Sequence, residues 1–242
     1  MVALAPRARP RSTLGAVSSS RLVTDEIEEL YDYDVLRREL VATMFVVHVT
    51  RPTLVLGSSQ SQDVINLDAL GDTPLRRRKG GGGLVLLRPD DLWIDWWIPQ
   101  DDPRWSHDVH VSSMTAGRWW AEALASFTSE PVSVYGGSLE GDLEFRVVCF
   151  AGRGPGEVFV SERKAVGLTQ WRVREGVFLS TVLHAQATSD VLPFLAHVPP
   201  GLSDALDHQI LSALSLEDPE DLIEILASNS GPWRLRPLLL TS

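Results

Sequence analysis

The chain has 242 residues, of which 44% are hydrophobic, and this length is sufficient for one large domain with its own core. Its formal net charge of −10 argues against sequence-independent binding to nucleic acid, and no apolar run approaches the roughly 20 residues of a membrane span. A single cysteine excludes an internal disulfide and is typical of a protein of the reducing cytoplasm.

The N-terminal region combines a basic tail with a predicted helix. The first 21 residues contain four arginines and no acidic residue, and we expect them to form a disordered tail. Within 24–41, acidic residues precede Arg37 and Arg38, an order that suits a helix dipole. A helix is therefore predicted over this segment.

The predicted strands begin with the segments 44–49 and 53–56, which are rich in β-branched residues and indicate a pair of strands. In the segment 92–98, the two sets of alternate residues are both largely apolar, which predicts a strand that is covered on both faces. The remaining predicted elements are a helix at 113–127, strands at 132–135, 145–150, 158–160, 165–166 and 177–183, and helices at 202–214 and 219–227.

This order of elements predicts one α+β domain. Strands in the middle of the chain, with helices before and after them, indicate a central antiparallel or mixed β-sheet flanked by helices. We divide the chain into the tail 1–21, a main domain at 22–190, and a C-terminal helical extension of the same domain at 191–242.

A run of cations and glycines is the first candidate for a binding site. Glycines let the backbone approach a bound group closely and turn several N–H donors toward one anion, while the cations supply matching charge. A phosphate or a carboxylate is the expected ligand, and a flexible basic turn between strands is the alternative interpretation. The run is Arg76-Arg77-Arg78-Lys79-Gly80-Gly81-Gly82-Gly83.

Lys164 is the second candidate. The chain contains only two lysines, Lys79 and Lys164, although arginine is abundant, so an ammonium group is favoured at these positions over a guanidinium. Lys164 lies in a predicted hairpin, from which its charge can hold an anionic reactant or a developing oxyanion. A solvated turn residue is the alternative interpretation.

Cys149 is the third candidate, at the end of a predicted apolar strand and before a glycine-rich loop. A thiol at such a junction, near a cation, is biased toward the thiolate and can carry an acyl group. A buried structural cysteine is the alternative. The histidines form no metal-binding pattern, so no metal site is expected.

Together these segments resemble the biotin and lipoate protein ligase family, in particular its lipoate ligase and octanoyltransferase branches. Residues 54–60 resemble its strand-Gly-x-x-Gln segment, and residues 77–85 resemble its Arg-Arg-x-Ser/Thr-Gly-Gly-Gly-Ala-Val motif. The family's Lys-x-x-Gly-x-x-Gln-x-Arg pattern is preserved as Lys164, Gly167, Gln170 and Arg172. The resemblance spans about 24–183.

The resemblance implies a role for each motif. Lys164 holds the carboxyl or acyl carbonyl of the substrate, and the glycine run lines the acyl and phosphate side of the pocket. In a ligase, ATP with Mg and lipoate gives an acyl-adenylate, which a lysine of a lipoyl-domain protein attacks. The implied substrate-binding residues are Arg77, Arg78, Lys79, Gly80, Gly81, Gly82, Gly83, Gly167 and Gln170.

Cys149 distinguishes the two branches. In one group of octanoyltransferases a Cys-Phe pair precedes the lysine segment and an acid follows eight positions after the cysteine, as Glu157 does here. Those enzymes take octanoyl from acyl carrier protein onto the cysteine and pass it to the lipoyl-domain lysine without ATP. The resemblance thus implies Cys149 and Lys164 as catalytic residues of a cytoplasmic acyltransferase that needs no cofactor on the thioester route.

The chain also departs from the family pattern. Gly80 replaces Ser or Thr, Leu87-Arg88 stands where His-Asp is usual, and Leu168-Thr169 replaces Ser-Ala before Gln170. A second interpretation therefore stays open, in which the chain is a non-catalytic paralogue that binds an acyl ligand or a protein partner.

Overall fold

The computed structural model describes residues 27–209 and 219–240, so the predicted tail at 1–21 lies outside the described residues. The helices are α1 (Tyr33–Leu36), α2 (Leu67–Leu70), α3 (Val109–Leu124), α4 (Leu202–Gln209) and α5 (Pro219–Asn229). The strands are β1 (Thr43–Val49), β2 (Thr53–Leu56), β3 (Leu75–Arg77), β4 (Val85–Leu87), β5 (Leu92–Pro99), β6 (Val132–Val134), β7 (Val158–Val160), β8 (Arg163–Val173), β9 (Gly176–Leu183) and β10 (Arg234–Leu240).

Two β-sheets organise these elements. The large sheet has the strand order β10-β1-β5-β9-β8-β7-β6, and only β10 and β1 pair in parallel. The small sheet has the order β3-β2-β4. This mixed sheet with flanking helices confirms the predicted α+β class.

Strand β5 lies at the centre of the large sheet, and all eight of its residues are buried. Trp93 and Trp97 face a core shared with the small sheet, whereas Ile94 and Trp96 face a second core beneath α3 and α5. A strand that is apolar on both faces is stable only when it is covered on both sides. The alternation in the sequence therefore places β5 between two layers, as predicted.

Helix α3 begins at Val109, four residues before the predicted start. The carboxylate of Asp108 caps it by accepting hydrogen bonds from the N–H groups of His110 and Val111, at 2.7 and 3.2 Å. Within the second core, Trp120 donates from Nε1 to the hydroxyl of Thr181 at 2.8 Å. The cap defines the start of α3, and the hydrogen bond from Trp120 to Thr181 holds the helix against β9. Of the described helices, none is long and apolar enough to cross a membrane.

Residues 24–26 of the predicted helix at 24–41 lie outside the described residues, and over 27–41 the prediction was wrong except for the single turn of α1. The segment before α1 is extended, because Arg77 of β3 donates to the carbonyl of Glu28 at 2.9 Å and accepts from the N–H of Leu30 at 2.8 Å. Two of the acidic residues that suggested a helix N-terminus form ion pairs instead. Glu28 binds Arg76, and Glu29 binds Lys79.

The predicted pairing of 44–49 with 53–56 was also wrong. Strand β1 pairs with β5 and β10, whereas β2 pairs with β3 and β4. The chain thus changes sheets at Arg51-Pro52, where proline provides no N–H for a continuous ladder.

Two further segments differ from the prediction. Residues 145–150 form parts of the 3₁₀ helices Glu144–Val147 and Cys149–Ala151, with a single bridge between Leu84 and Val148 instead of a strand. The C-terminal segment, which was expected to be helical, also contains β10. Its Pro237 is tolerated because β10 is an edge strand.

Asp95 is a carboxyl group inside the core that joins the two sheets. Its Oδ1 accepts a hydrogen bond from Trp93 Nε1 at 2.6 Å. Burial raises the pKa of Asp95 from 3.8 to about 7, although the hydrogen bond from Trp93 acts in the opposite direction. The folded protein therefore keeps a proton on Asp95 at pH values where the unfolded chain has released it.

Asp95→Asn is expected to flatten the pH dependence of stability. With a raised folded pKa, the stability linked to Asp95 is fully present below about pH 4 and is lost as the pH rises through 7. The free energy of unfolding, measured by urea denaturation, should fall between pH 5 and pH 8 by on the order of 2 kcal/mol more in the wild type than in Asp95→Asn. Equal pH dependence in both proteins would contradict this assignment.

Candidate active site

Lys164 is the second residue of β8, and only 1% of its surface is exposed. Its Nζ lies 2.6 Å from Glu157 Oε1 and donates to the carbonyls of Gly152 at 2.9 Å and Cys149 at 3.3 Å. An ammonium group has three protons, and these acceptors account for all of them. The interpretation of Lys164 as a solvated turn residue is therefore wrong.

Glu157 reaches Lys164 from the end of a glycine-rich loop, immediately before β7. Its Oε2 accepts a hydrogen bond from the N–H of Gly154 at 2.7 Å. Burial raises the pKa of Glu157, while the charge of Lys164 acts in the opposite direction. The pair is almost completely enclosed, since the side chains of Lys164 and Glu157 are 2% and 6% exposed.

Cys149 opens the 3₁₀ helix Cys149–Ala151 and is half-buried. Its N–H donates to the carbonyl of Leu84 at 3.0 Å, directly after the glycine run. A Cβ atom at Gly83 would lie 2.5 Å from the carbonyl oxygen of Arg146 and 2.7 Å from the nitrogen of Cys149, so only glycine permits this approach. The fold thus brings Cys149, Lys164 and the glycine run together.

The four cations of the run are engaged by the chain itself. Arg76 and Lys79 form the ion pairs with Glu28 and Glu29. Arg77 donates to the carbonyls of Gly57 and Gln60, at 2.9 and 2.7 Å. Arg78 is buried and donates to the carbonyls of Val55, Gly81 and Gly83. The alternative interpretation of the run as a flexible basic turn is therefore wrong. Of the four cations, Arg78 is the one that borders Cys149.

Gly167 and Gln170 occupy different surroundings. A Cβ atom at Gly167 would lie 2.6 Å from the Phe150 ring, so this glycine seats the residue that follows Cys149. Gln170 instead donates to the carbonyl of Val109 and the hydroxyl of Ser113, at 2.9 and 2.7 Å. It ties β8 to α3 on the other face of the large sheet, and its role in substrate binding stays a prediction.

The sequence analysis missed the pairing of Asp91 with His184. His184 Nδ1 lies 3.0 Å from Asp91 Oδ2, and both side chains are buried. The ring of His184 packs 4.4 Å from the ring of Phe150, whose centroid is 4.9 Å from Lys164 Nζ. The Phe150 ring therefore lies between the Asp91–His184 pair and the Lys164–Glu157 pair. In the sequence, Asp91 directly precedes the predicted strand 92–98 and His184 directly follows the predicted strand 177–183, which was the only available signal.

Little free space remains beside Cys149. The cavity there has a volume of about 20 Å³ and is lined by Arg78, Trp93, Phe150 and Thr169, among others. Such a volume holds about one water molecule. The largest cavity described, about 940 Å³, is lined by Arg37, Arg38, Pro99, Arg174 and their neighbours and touches none of these site residues.

Two departures from the family pattern meet in space. A Cβ atom at Gly80 would lie 2.6 Å from Thr169 Oγ1, and that hydroxyl donates to the carbonyl of Gly81 at 3.0 Å. The hydroxyl that the pattern carries at position 80 thus reappears at position 169, and Gly80 makes room for it. Within 27–209 and 219–240, no cluster of three or more His, Cys, Asp or Glu side chains could hold a metal ion.

Comparison with known proteins places this site within a matched region. A family model for the lipoyl protein ligase A/B catalytic domain matches residues 29–196, which include every residue of the candidate site. No curated protein is significantly similar to the chain in sequence.

Several solved structures share the fold. A lipoate-protein ligase A bound with ATP is 15% identical, with a TM-score of 0.59 over 83% of this chain and 76% of that one. A putative lipoate protein ligase from T. acidophilum with bound lipoic acid is 14% identical, with a TM-score of 0.61 over 88% and 83%. A bipartite lipoate protein ligase with its E2 lipoyl domain, from Thermoplasma acidophilum, is 14% identical, with a TM-score of 0.62 over 88% and 81%.

Glu157→Gln is expected to destabilise the fold by about 3 kcal/mol, because it leaves the Lys164 charge buried without a counter-charge. The double variant Glu157→Gln/Lys164→Met removes that charge and should recover at least half of the loss. Urea denaturation followed by tryptophan fluorescence measures both values. As a control, Glu162→Gln makes the same change in an exposed pair with Arg153 and should cost less than about 0.5 kcal/mol. An equal cost for both single variants would refute the buried pair.

Gly80→Ser is expected to cost about 1–3 kcal/mol, because its side chain overlaps Thr169. Adding Thr169→Ala should remove most of this cost, which a double-mutant cycle of unfolding free energies detects. Gly81→Ser is the matched control, since no atom lies within 4 Å of a Cβ there. Additive costs for Gly80→Ser and Thr169→Ala would show that the two positions are not coupled.

Proposed function

The chain belongs to the family of lipoyl protein ligase A/B catalytic domains, and on this basis we propose that it transfers an octanoyl or lipoyl group, through a thioester on Cys149, to a lysine of a lipoyl-domain protein. Octanoyl-acyl carrier protein is the proposed donor. The catalytic residues in this proposal are Cys149 and Lys164, and the segments 22–190 and 191–242 act as one catalytic domain. The parallel pairing of β10, from the C-terminal segment, with β1 supports a single domain. The free thiol suits a cytoplasmic location.

The hydrogen bond from Lys164 Nζ to the backbone carbonyl of Cys149 is the observation that supports this proposal most directly. On an ATP-dependent route, the lysine must be free to hold the carboxyl group of a substrate. Here Glu157 and two backbone carbonyls satisfy its ammonium group, and one of those carbonyls belongs to the cysteine. This arrangement is suited to fixing a nucleophile in place.

The proposed reaction has two steps. The Cys149 thiolate attacks the thioester carbonyl of the donor, so that a bond from Sγ to the acyl carbon forms, the bond to the carrier sulfur breaks, and the carrier thiolate takes up a proton. The uncharged amine of the acceptor lysine then attacks the Cys149 thioester. An amide bond forms, the bond between Sγ and the acyl carbon breaks, and the proton from the amine passes to solvent.

A nucleotide route fits these residues less well. ATP with Mg would need free cations beside the glycine run, yet Arg76, Arg77 and Lys79 are bound by the chain itself. The proposed reaction therefore has no nucleotide step. Bound ATP in a lipoate-protein ligase A of similar fold makes ATP-dependent ligation the competing function that an experiment must test.

An intact-mass measurement after incubation with octanoyl-acyl carrier protein tests the thioester. We expect one octanoyl adduct that hydroxylamine removes, as it removes a thioester, and Cys149 is the only cysteine that can carry a thioester. Cys149→Ala should abolish the adduct. Both Cys149→Ala and Lys164→Ala should slow modification of a lipoyl domain by on the order of a thousandfold.

Other outcomes of this measurement refute the proposal. If no adduct forms and a lipoyl domain is modified only with ATP and lipoate, the chain is a ligase. If neither reaction occurs and octanoate alone raises the melting temperature, the chain is a binding protein. Full transfer activity in Lys164→Ala would remove Lys164 from the catalytic residues.

A further inference from the structure

Arg78 carries a positive charge into the centre of the site. Only 2% of its surface is exposed, and its guanidinium donates to the carbonyls of Gly83 at 2.7 Å, Gly81 at 2.8 and 3.1 Å, and Val55 at 3.2 Å. These hydrogen bonds fix its orientation. They satisfy four of its five N–H donors, but carbonyl oxygens do not neutralise its charge.

No carboxylate in the described part of the chain forms an ion pair with Arg78, in contrast to Lys164, which Glu157 neutralises. A buried charge without a counter-charge is costly. Burial accordingly lowers the pKa of Arg78, and Cys149 is the largest influence in the opposite direction. The environment of Arg78 therefore lacks a carboxylate, and a negative charge on the neighbouring Cys149 side chain would stabilise the guanidinium.

Gly82 shows how close the two groups are. Its φ of +95° places the backbone in the left-handed region, and a Cβ atom there would lie 3.0 Å from Arg78 Nη2 and 3.4 Å from Cys149 Sγ. The guanidinium and the sulfur thus border one small gap, which the missing side chain of Gly82 keeps open. Cys149 and Tyr33 are the two groups able to become negative whose charge acts on Arg78, and the influence of Cys149 is the larger.

We propose that Arg78 is the counter-cation of the Cys149 thiolate, whereas Lys164 positions the peptide group of Cys149. This inference rests on the proposed role of Cys149 as an acyl carrier. The thiolate is the nucleophile of the first step and the leaving group of the second, so one fixed guanidinium assists both steps. Arg78 then stabilises the thiolate and Lys164 positions the backbone of Cys149, two roles that a single lysine would otherwise combine.

Alkylation of Cys149 by iodoacetamide tests this division, because it requires neither an acyl donor nor an acceptor. The rate, measured by intact mass from pH 5 to pH 9, should fall about tenfold at pH 7 in Arg78→Met, and its pH profile should move to higher pH. Arg78→Lys keeps a cation and should lose less of the rate than Arg78→Met. The matched control is Arg88→Met, which removes another buried arginine, one that binds Asp190, and should leave the rate within about twofold.

A second measurement on the wild type needs no variant and applies even if Arg78→Met does not fold. A cation at the sulfur should favour the anionic reagent iodoacetate over neutral iodoacetamide, by at least about threefold relative to the urea-unfolded chain. A ratio equal to that of the unfolded chain would overturn the inference. So would a folded Arg78→Met protein with the wild-type rate and pH profile, whether or not octanoyl transfer occurs.

Discussion

The buried ion pair between Lys164 and Glu157 is the constraint on which the site depends. Its 2.6 Å contact joins the start of β8 to the residue before β7, and the remaining protons of Lys164 hold the carbonyls of Cys149 and Gly152. Removing two charges from water is costly, and only this close geometry with further hydrogen bonds offsets the cost. The loop that carries Cys149 can therefore adopt few other conformations.

The neighbouring packing follows from that fixed loop. Once Cys149 is in place, Phe150 requires a residue without a side chain at Gly167, and the backbone beside Cys149 requires another at Gly83. The glycines of the motif thus serve close approach within the protein as well as any bound group. Gly80 serves close approach in the same way, because the absence of a side chain there leaves room for the hydroxyl of Thr169. The two departures from the family pattern are therefore complementary in space, and the site stays packed.

Charge in the site is distributed unevenly. Lys164 is neutralised where it stands, Arg76 and Lys79 are paired at the surface, and Arg78 remains buried without a carboxylate. A run of cations in a sequence suggests one basic patch, yet the fold assigns each member a separate task. In the described part of the chain Arg77 also has no carboxylate partner, but it is only half-buried, whereas Arg78 is buried and borders Cys149. This contrast gives the site its electrostatic asymmetry.

The sequence by itself determined the local patterns and the joint occurrence of the motifs. The alternating β5, the strands β2 and β7, and the grouping of Cys149, the lysine segment and the glycine run with one family needed only residue types and spacing. Tertiary structure decided which segments pair. It put β1 and β2 into different sheets, added β10, and joined Asp91 to His184. Within the described residues, it also reduced the helix expected at 24–41 to the single turn of α1. Periodicity reports which face of a segment is buried, whereas partners distant in sequence are selected by the packing of the whole chain.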